Sequence, residues 1–311
     1  MVGYHNGSIS ISNMKLQFMI LQGNFTYLGI LGVTEGYECF IYNVQTSLQL
    51  PTNNSGTHVG VLSSYMLAEN WSVINITISN SYIYSQLLTG LLMGYINSGT
   101  FSQIYVYSST ANSSGSYNWA LSGVLYGDSK GYSVQNTQQK TTVHQCYFEN
   151  NTIFTNNSVI QATSGGLIGD SQDNNIRIQN VKLILNNISS YGSAIQADSS
   201  GLIAFLYDAI IDIINVYISQ INLYSNNVNV AFAGGFIAQT SLNYKVQITD
   251  SKISNIQINI YGTQFRVGII FSLTPSVLTA TGLRSEGTNS INGAAVNNCG
   301  NIQTFNEQNG C

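Results

Sequence analysis

Asp173 and Asp208 each stand seven residues ahead of a recurring amide position, and Arg177 and Asp212 each stand three ahead of it. Acids at one phase of a repeat become neighbours when the repeats stack. Neighbouring carboxyl groups are what acid–base chemistry on sugars, or Ca²⁺ coordination, requires. Asp173 and Asp208 are therefore the candidate metal or catalytic edge, against a plainer reading as turn residues. Arg177 and Asp212 are expected as an exposed ion pair worth under about 1 kcal/mol. Tyr105, Tyr147 and Tyr217 share the place two residues after the amide, where rings could stack against a carbohydrate or a protein partner. His5, His58 and His144 are scattered through the repeats. The chain holds no phosphate-binding loop, dinucleotide fingerprint, HExxH or CxxC, so no cofactor and no catalytic centre is expected.

Composition narrows the classes. Charged residues make up 7% of 311, so solubility rests on Asn, Ser, Thr, Gln and Gly. A net charge of -4 with three arginines, Arg177, Arg266 and Arg284, offers no basic field, which argues against a nucleic-acid partner. The most apolar stretch, residues 14–31, carries Lys15, Gln17, Gln22 and Asn24, and no transmembrane segment is expected. The opening MVGYHNGSIS has neither the basic start nor the apolar run of a signal peptide. Sequons at Asn6, Asn24, Asn53, Asn70, Asn75, Asn112, Asn150, Asn156 and Asn187 weigh towards export. Extracellular or cell-surface location is expected, with the signal outside this sequence. Cys299 and Cys311 in the tail read as a disulfide pair or the start of a Cys-rich module, and Cys39 and Cys146 as small core residues.

What must position these residues is a repeat. Glycine followed by two apolar residues recurs at Gly29, Gly60, Gly90, Gly123, Gly166, Gly201, Gly235 and Gly268, and an amide or acid at Asn13, Asn43, Asn75, Gln103, Gln145, Asn180, Asn215 and Asp250. The period is about 34 residues, and the widest interval holds an insertion at 127–142. Apolar residues two before the amide, such as Ile178 and Ile213, alternate with polar ones, as on a strand with one buried face. One and three after it the inward residues resume, as Val181/Leu183 and Val216/Ile218. Inward positions three apart mean that the side-chain parity flips at the amide. The chain turns a corner there, and Asn tolerates the left-handed backbone a corner needs. Stacked corners place their amides about 4.8 Å apart, within reach of a hydrogen-bonded ladder. The repeating glycines mark a second, tighter corner.

The fold predicted is all-β: a parallel β-helix (β-solenoid) of about eight coils over 1–271, right-handed by the usual rule for parallel crossovers, followed by a Gly/Asn/Thr-rich tail at 272–311. An antiparallel sandwich is the alternative, disfavoured by the scarcity of hairpin signals. The Gly165–Gly169 and Ala233–Ala238 stretches, GGLIG and AGGFIA, resemble the GLUG motif, found in tandem in large bacterial and protist surface proteins. Gly29 and Gly268 lack the doubled glycine, and several repeats lose the final one. The resemblance implies a β-helical stalk or adhesin-like region and carries no catalytic residues over. The function expected is thus a structural or adhesive segment of a longer extracellular protein, facing surface glycans or neighbouring or host proteins. A carbohydrate-binding module, or a polysaccharide lyase or hydrolase on the same scaffold, is the alternative.

Overall fold

The structure is a computed structural model that describes residues 2–20, 27–35, 38–49, 58–67, 70–115, 119–129, 140–157, 159–172, 175–192, 195–227, 229–241, 245–272 and 277–296. Among them every regular element is a strand, so no helix crosses a membrane. The strands form three sheets, and all pairings are parallel except a closing hairpin, Asn289–Ile291 with Ala294–Val296.

One layer shows the plan. Ile168–Gln172 lies in the first sheet; Asn175–Ile184 and Asn187–Gly192 follow one another in the third; Gln196–Ser200 lies in the second. After a two-residue bend, Ile203–Tyr207 re-enters the first sheet, paired in parallel with Ile168–Gln172. The other strands of this layer pair with the segments 34 or 35 residues on: Asn175 with Ile210, Asn187 with Asn222, Gln196 with Val230. Parallel sheets stacked in layers are consistent with a β-helix, and an antiparallel sandwich is excluded.

Stacking puts like on like. Ile41, Val73, Phe101, Val143, Ile178, Ile213 and Ile248 form one in-register column of the core, all buried. Val44, Ile76, Ile104, Cys146, Val181 and Val216 form another across the corner. Each large apolar side chain so buried contributes on the order of 1.5–3 kcal/mol, which offsets the low charge and the many polar residues of the chain.

The eight amide or acid positions from Asn13 to Asp250 all have positive φ, between 48° and 56°. The side-chain ladder joins Asn43 Nδ2 to Asn13 Oδ1 at 2.6 Å, Asn75 Nδ2 to Asn43 Oδ1 at 3.2 Å and Asn215 Nδ2 to Asn180 Oδ1 at 2.7 Å. Asn215→Ala is expected to cost about 1–2 kcal/mol, because alanine meets the left-handed penalty and drops the ladder bond. Asn215→Gly, which escapes the penalty, is expected to cost less; denaturant titration of the two variants checks the order.

A second row of corners lies five residues further on, at Asn80, Ser108, Asn150, Leu185, Gln220 and Asn255, with φ from 47° to 58°. A corner breaks the strand-to-strand bonding, and buried side chains replace it. Leu48 N donates to Ser81 Oγ, Ser81 N to Ser109 Oγ, Ser109 N to Asn151 Oδ1 and Asn151 N to Asn186 Oδ1, at 2.8–3.1 Å. These polar residues are buried because the backbone needs them there.

Three expectations are corrected. The glycine register is one residue off in the middle repeats: the column is Gly60, Gly90, Gly123, Gly165, Ser200, Gly234, Gly268, so Gly166, Gly201 and Gly235 sit one place later, on the bend. Doubled glycines at 165–166 and 234–235 disguised this, and before Gly201 the column position is held by Ser200 instead of a glycine. Layering also continues past 271: Val277–Thr281 pairs with Lys245–Thr249, Arg284–Glu286 with Lys252–Ser254 and Asn289–Ile291 with Gln257–Tyr261. Gly282 and Gly287, both at positive φ, serve as that layer's corners, and the missing amide hid it. Finally, Gly127–Ser129 and Lys140–Thr142 belong to the strands Tyr126–Ser129 and Lys140–Glu149 rather than to a loop; residues 130–139 lie outside the described residues.

Candidate binding groove

Bends between the second and first sheets fall at residues 91–92, 124–125, 166–167 and 201–202 in successive layers. They are tight because of what flanks them. A Cβ on Gly90 would lie 1.7 Å from the Met93 carbonyl oxygen, and one on Gly165 1.7 Å from that of Ile168. Past the bend, Gly94, Gly127, Gly169, Ala204 and Ala238 fill the next column. With only small residues on both sides, the outer residues of the two sheets converge as the walls of a groove of about 540 Å³.

One wall, on the first sheet, stacks Tyr65, Tyr95, Asp128, Asp170 and Phe205 in successive layers. At about 4.8 Å per layer this column is roughly 19 Å long. The other wall, on the second sheet, presents His58, Leu88 and Leu121, with Trp119 53% exposed near them. Tyr65 and Tyr95 stack at 4.4 Å with planes 12° apart, and His58 meets Tyr65 edge-on at 5.4 Å. Burial lowers the His58 pKa to about 4, so the ring is neutral near pH 7.

Two carboxyl groups are sunk in this region. Asp170 is 5% exposed; Gln172 Nε2 donates to its Oδ2 at 3.0 Å, and its Oδ1 has no hydrogen-bond donor. Desolvation, then the nearby Asp128 charge, raises the Asp170 pKa well above the carboxylate range. Asp198, on the second sheet, is fully buried; Gln161 and Gln196 donate their Nε2 to its Oδ2 at 2.9 and 2.7 Å, and its Oδ1 also has no donor. Desolvation raises its pKa to about 7, against the lowering effect of those amides. Both acids therefore hold protons where an ordinary aspartate has none.

The residues singled out from sequence lie elsewhere. Asp173 lies outside the described residues, as do Cys299 and Cys311. Asp208 is half-buried at a φ of 44° and does not line the groove. No trio of metal-ligating side chains occurs among the described residues. Tyr105, Tyr147 and Tyr217 share one column of the third sheet, interleaved with Lys182 and Lys252. Tyr147 Oη donates to Glu149 Oε2 at 3.2 Å, and Lys252 Nζ sits 5.7 Å from the centre of the Tyr217 ring. Arg177 and Asp212 are register neighbours without an ion pair, because their side chains do not come within reach; the ion pair among the described residues is Lys252–Glu286 at 2.5 Å. Cys39 and Cys146 are buried free thiols, both pushed up to about 12 by desolvation.

Sequence reasoning missed Asp170 and Asp198, and treated Asp128 as part of a loop. A signal was present: Gly-Asp-Ser recurs at Gly127–Ser129 and Gly169–Ser171, its Asp five places after the flanking glycine, Gly123 or Gly165. Asp198 gave none, because it reaches the site from another strand.

The class this arrangement defines is an all-β chain of stacked parallel sheets with an aromatic, acid-floored groove along its side. No family model, curated protein or solved structure matches the chain.

Proposed function

We propose that the chain is a right-handed parallel β-solenoid that serves as a stiff adhesive segment of a GLUG-type extracellular surface protein, and that it binds a carbohydrate chain in the groove without turning it over. The groove's lining carries the proposal. Flat rings such as Tyr65, Tyr95 and Trp119 suit the apolar faces of sugar rings, while Gln161, Gln172 and the acids suit hydroxyl groups. A trough roughly 19 Å long fits an extended oligosaccharide better than a single sugar. The alternative occupant of a β-rich surface, an added peptide strand, needs a free sheet edge, and both walls are faces of paired strands.

Glycan-array binding is the test. Trp119→Ala and Tyr95→Ala are expected to weaken the signal at least about tenfold, a loss of roughly 1.4 kcal/mol, while Tyr147→Ala on the third sheet leaves it unchanged. A silent array ends the proposal. A second reading, a glycan hydrolase or lyase, draws on the protonated Asp170 beside Asp128, the two states a general acid and its partner need. Release of new reducing ends from bound glycans, lost in Asp170→Asn, favours that reading.

A further inference from the structure

We infer that the saccharide this groove takes carries a free amino group, seated as an ammonium against Asp170 and the aromatic walls; this rests on the carbohydrate reading above. The floor is short of donors. Asp170 and Asp198 are each more than nine-tenths buried, each has one oxygen served by glutamine amides, and each has an Oδ1 with no donor, the former within the groove's lining. A buried carboxyl oxygen without a donor carries a desolvation cost that a ligand can relieve.

A hydroxyl group relieves it with one O–H and adds its own oxygen beside the acids. An ammonium brings three N–H donors and a positive charge, and charge-assisted bonds are about twice as strong as neutral ones. The walls favour the same group, because a cation is attracted to the faces of Tyr and Trp rings, and Tyr65, Tyr95, Trp119 and Tyr207 all line the groove. No Lys or Arg lines it among the described residues, and His58 is neutral. Uronates and sulfated sugars therefore find no counter-charge among the described lining residues and meet the Asp128 and Asp170 carboxyl groups instead. A metal ion lacks the necessary ligand trio among the described residues. A lysine-rich peptide supplies ammonium but not the flat apolar faces that the stacked rings accept.

Calorimetric titration of the full chain tests this with a β-1,4-glucosamine tetramer, its fully N-acetylated counterpart, cellotetraose and tetralysine. The glucosamine tetramer is expected to bind at least about tenfold tighter than the other two sugars, with Asp170→Asn erasing the preference. Should Asp170→Asn fail to fold, Asp128→Asn is expected to reduce the preference in the same direction. Equal binding of all three sugars overturns the ammonium inference and leaves the carbohydrate groove standing. Binding of none of them overturns both, and binding of tetralysine in place of the amino sugar overturns the saccharide assignment.

Discussion

The protein is expected to be more stable at about pH 4.5 than at about pH 7.5, the reverse of ordinary acid denaturation. Asp198 titrates near 7 when folded, and its ordinary value is 3.8. Between those values the folded chain binds a proton that the unfolded chain has released, so stability is full below the ordinary pKa and is lost as pH rises towards 7. Asp170, raised by burial and by Asp128, acts in the same direction. The combined loss is on the order of a few kcal/mol, a large share of a typical folding free energy. Thermal unfolding across this range checks it. Asp198→Asn keeps an oxygen for the Gln161 and Gln196 amides and removes the charge; it is expected to flatten the slope and raise the melting temperature at about pH 7.5. A wild-type melting temperature that is level or rises across the window is incompatible with a buried, proton-holding acid at this place.

The second large effect concerns the bend. Gly90→Ala puts a methyl group 1.7 Å from the Met93 carbonyl oxygen and 2.6 Å from the Tyr126 Cα of the next layer, both backbone atoms that no rotamer change can move aside. The loss is expected to reach about 3 kcal/mol or more. Ser200, in the same column, shows the local exception: its Oγ donates to the Phe236 carbonyl oxygen at 2.8 Å and accepts from Leu202 N at 3.0 Å. Ser200→Gly is therefore expected to cost much less than Gly90→Ala, and chemical denaturation of the two variants compares them. Equal costs contradict a steric origin for the glycine column.

These outcomes also mark how far the sequence was readable. The first corners were legible because one residue type serves them: from Asn13 to Asp250 the side chain is an amide or acid at a left-handed residue, and the parity of the apolar pattern reverses around it. The second corners were not, since Asn80, Ser108, Leu185 and Gln220 share a backbone conformation and no chemistry. The tight bend was visible in outline and misplaced by one residue where glycines are doubled, because two adjacent glycines carry no side chain to fix the register. The groove was the least legible part. Its walls come from two strands of each layer separated by a bend, and how near Asp198 comes to Asp170 of the preceding layer depends on how sharply those bends close.

The in-register pairing of every layer with the next has a consequence for how such a chain varies. Gly165, Ser200 and Gly234 occupy equivalent places in successive layers, so losing or duplicating a complete layer rejoins matching backbone. The molecule behaves as a ruler graduated in layers, its length free to drift by whole units while the pairing from one layer to the next is kept.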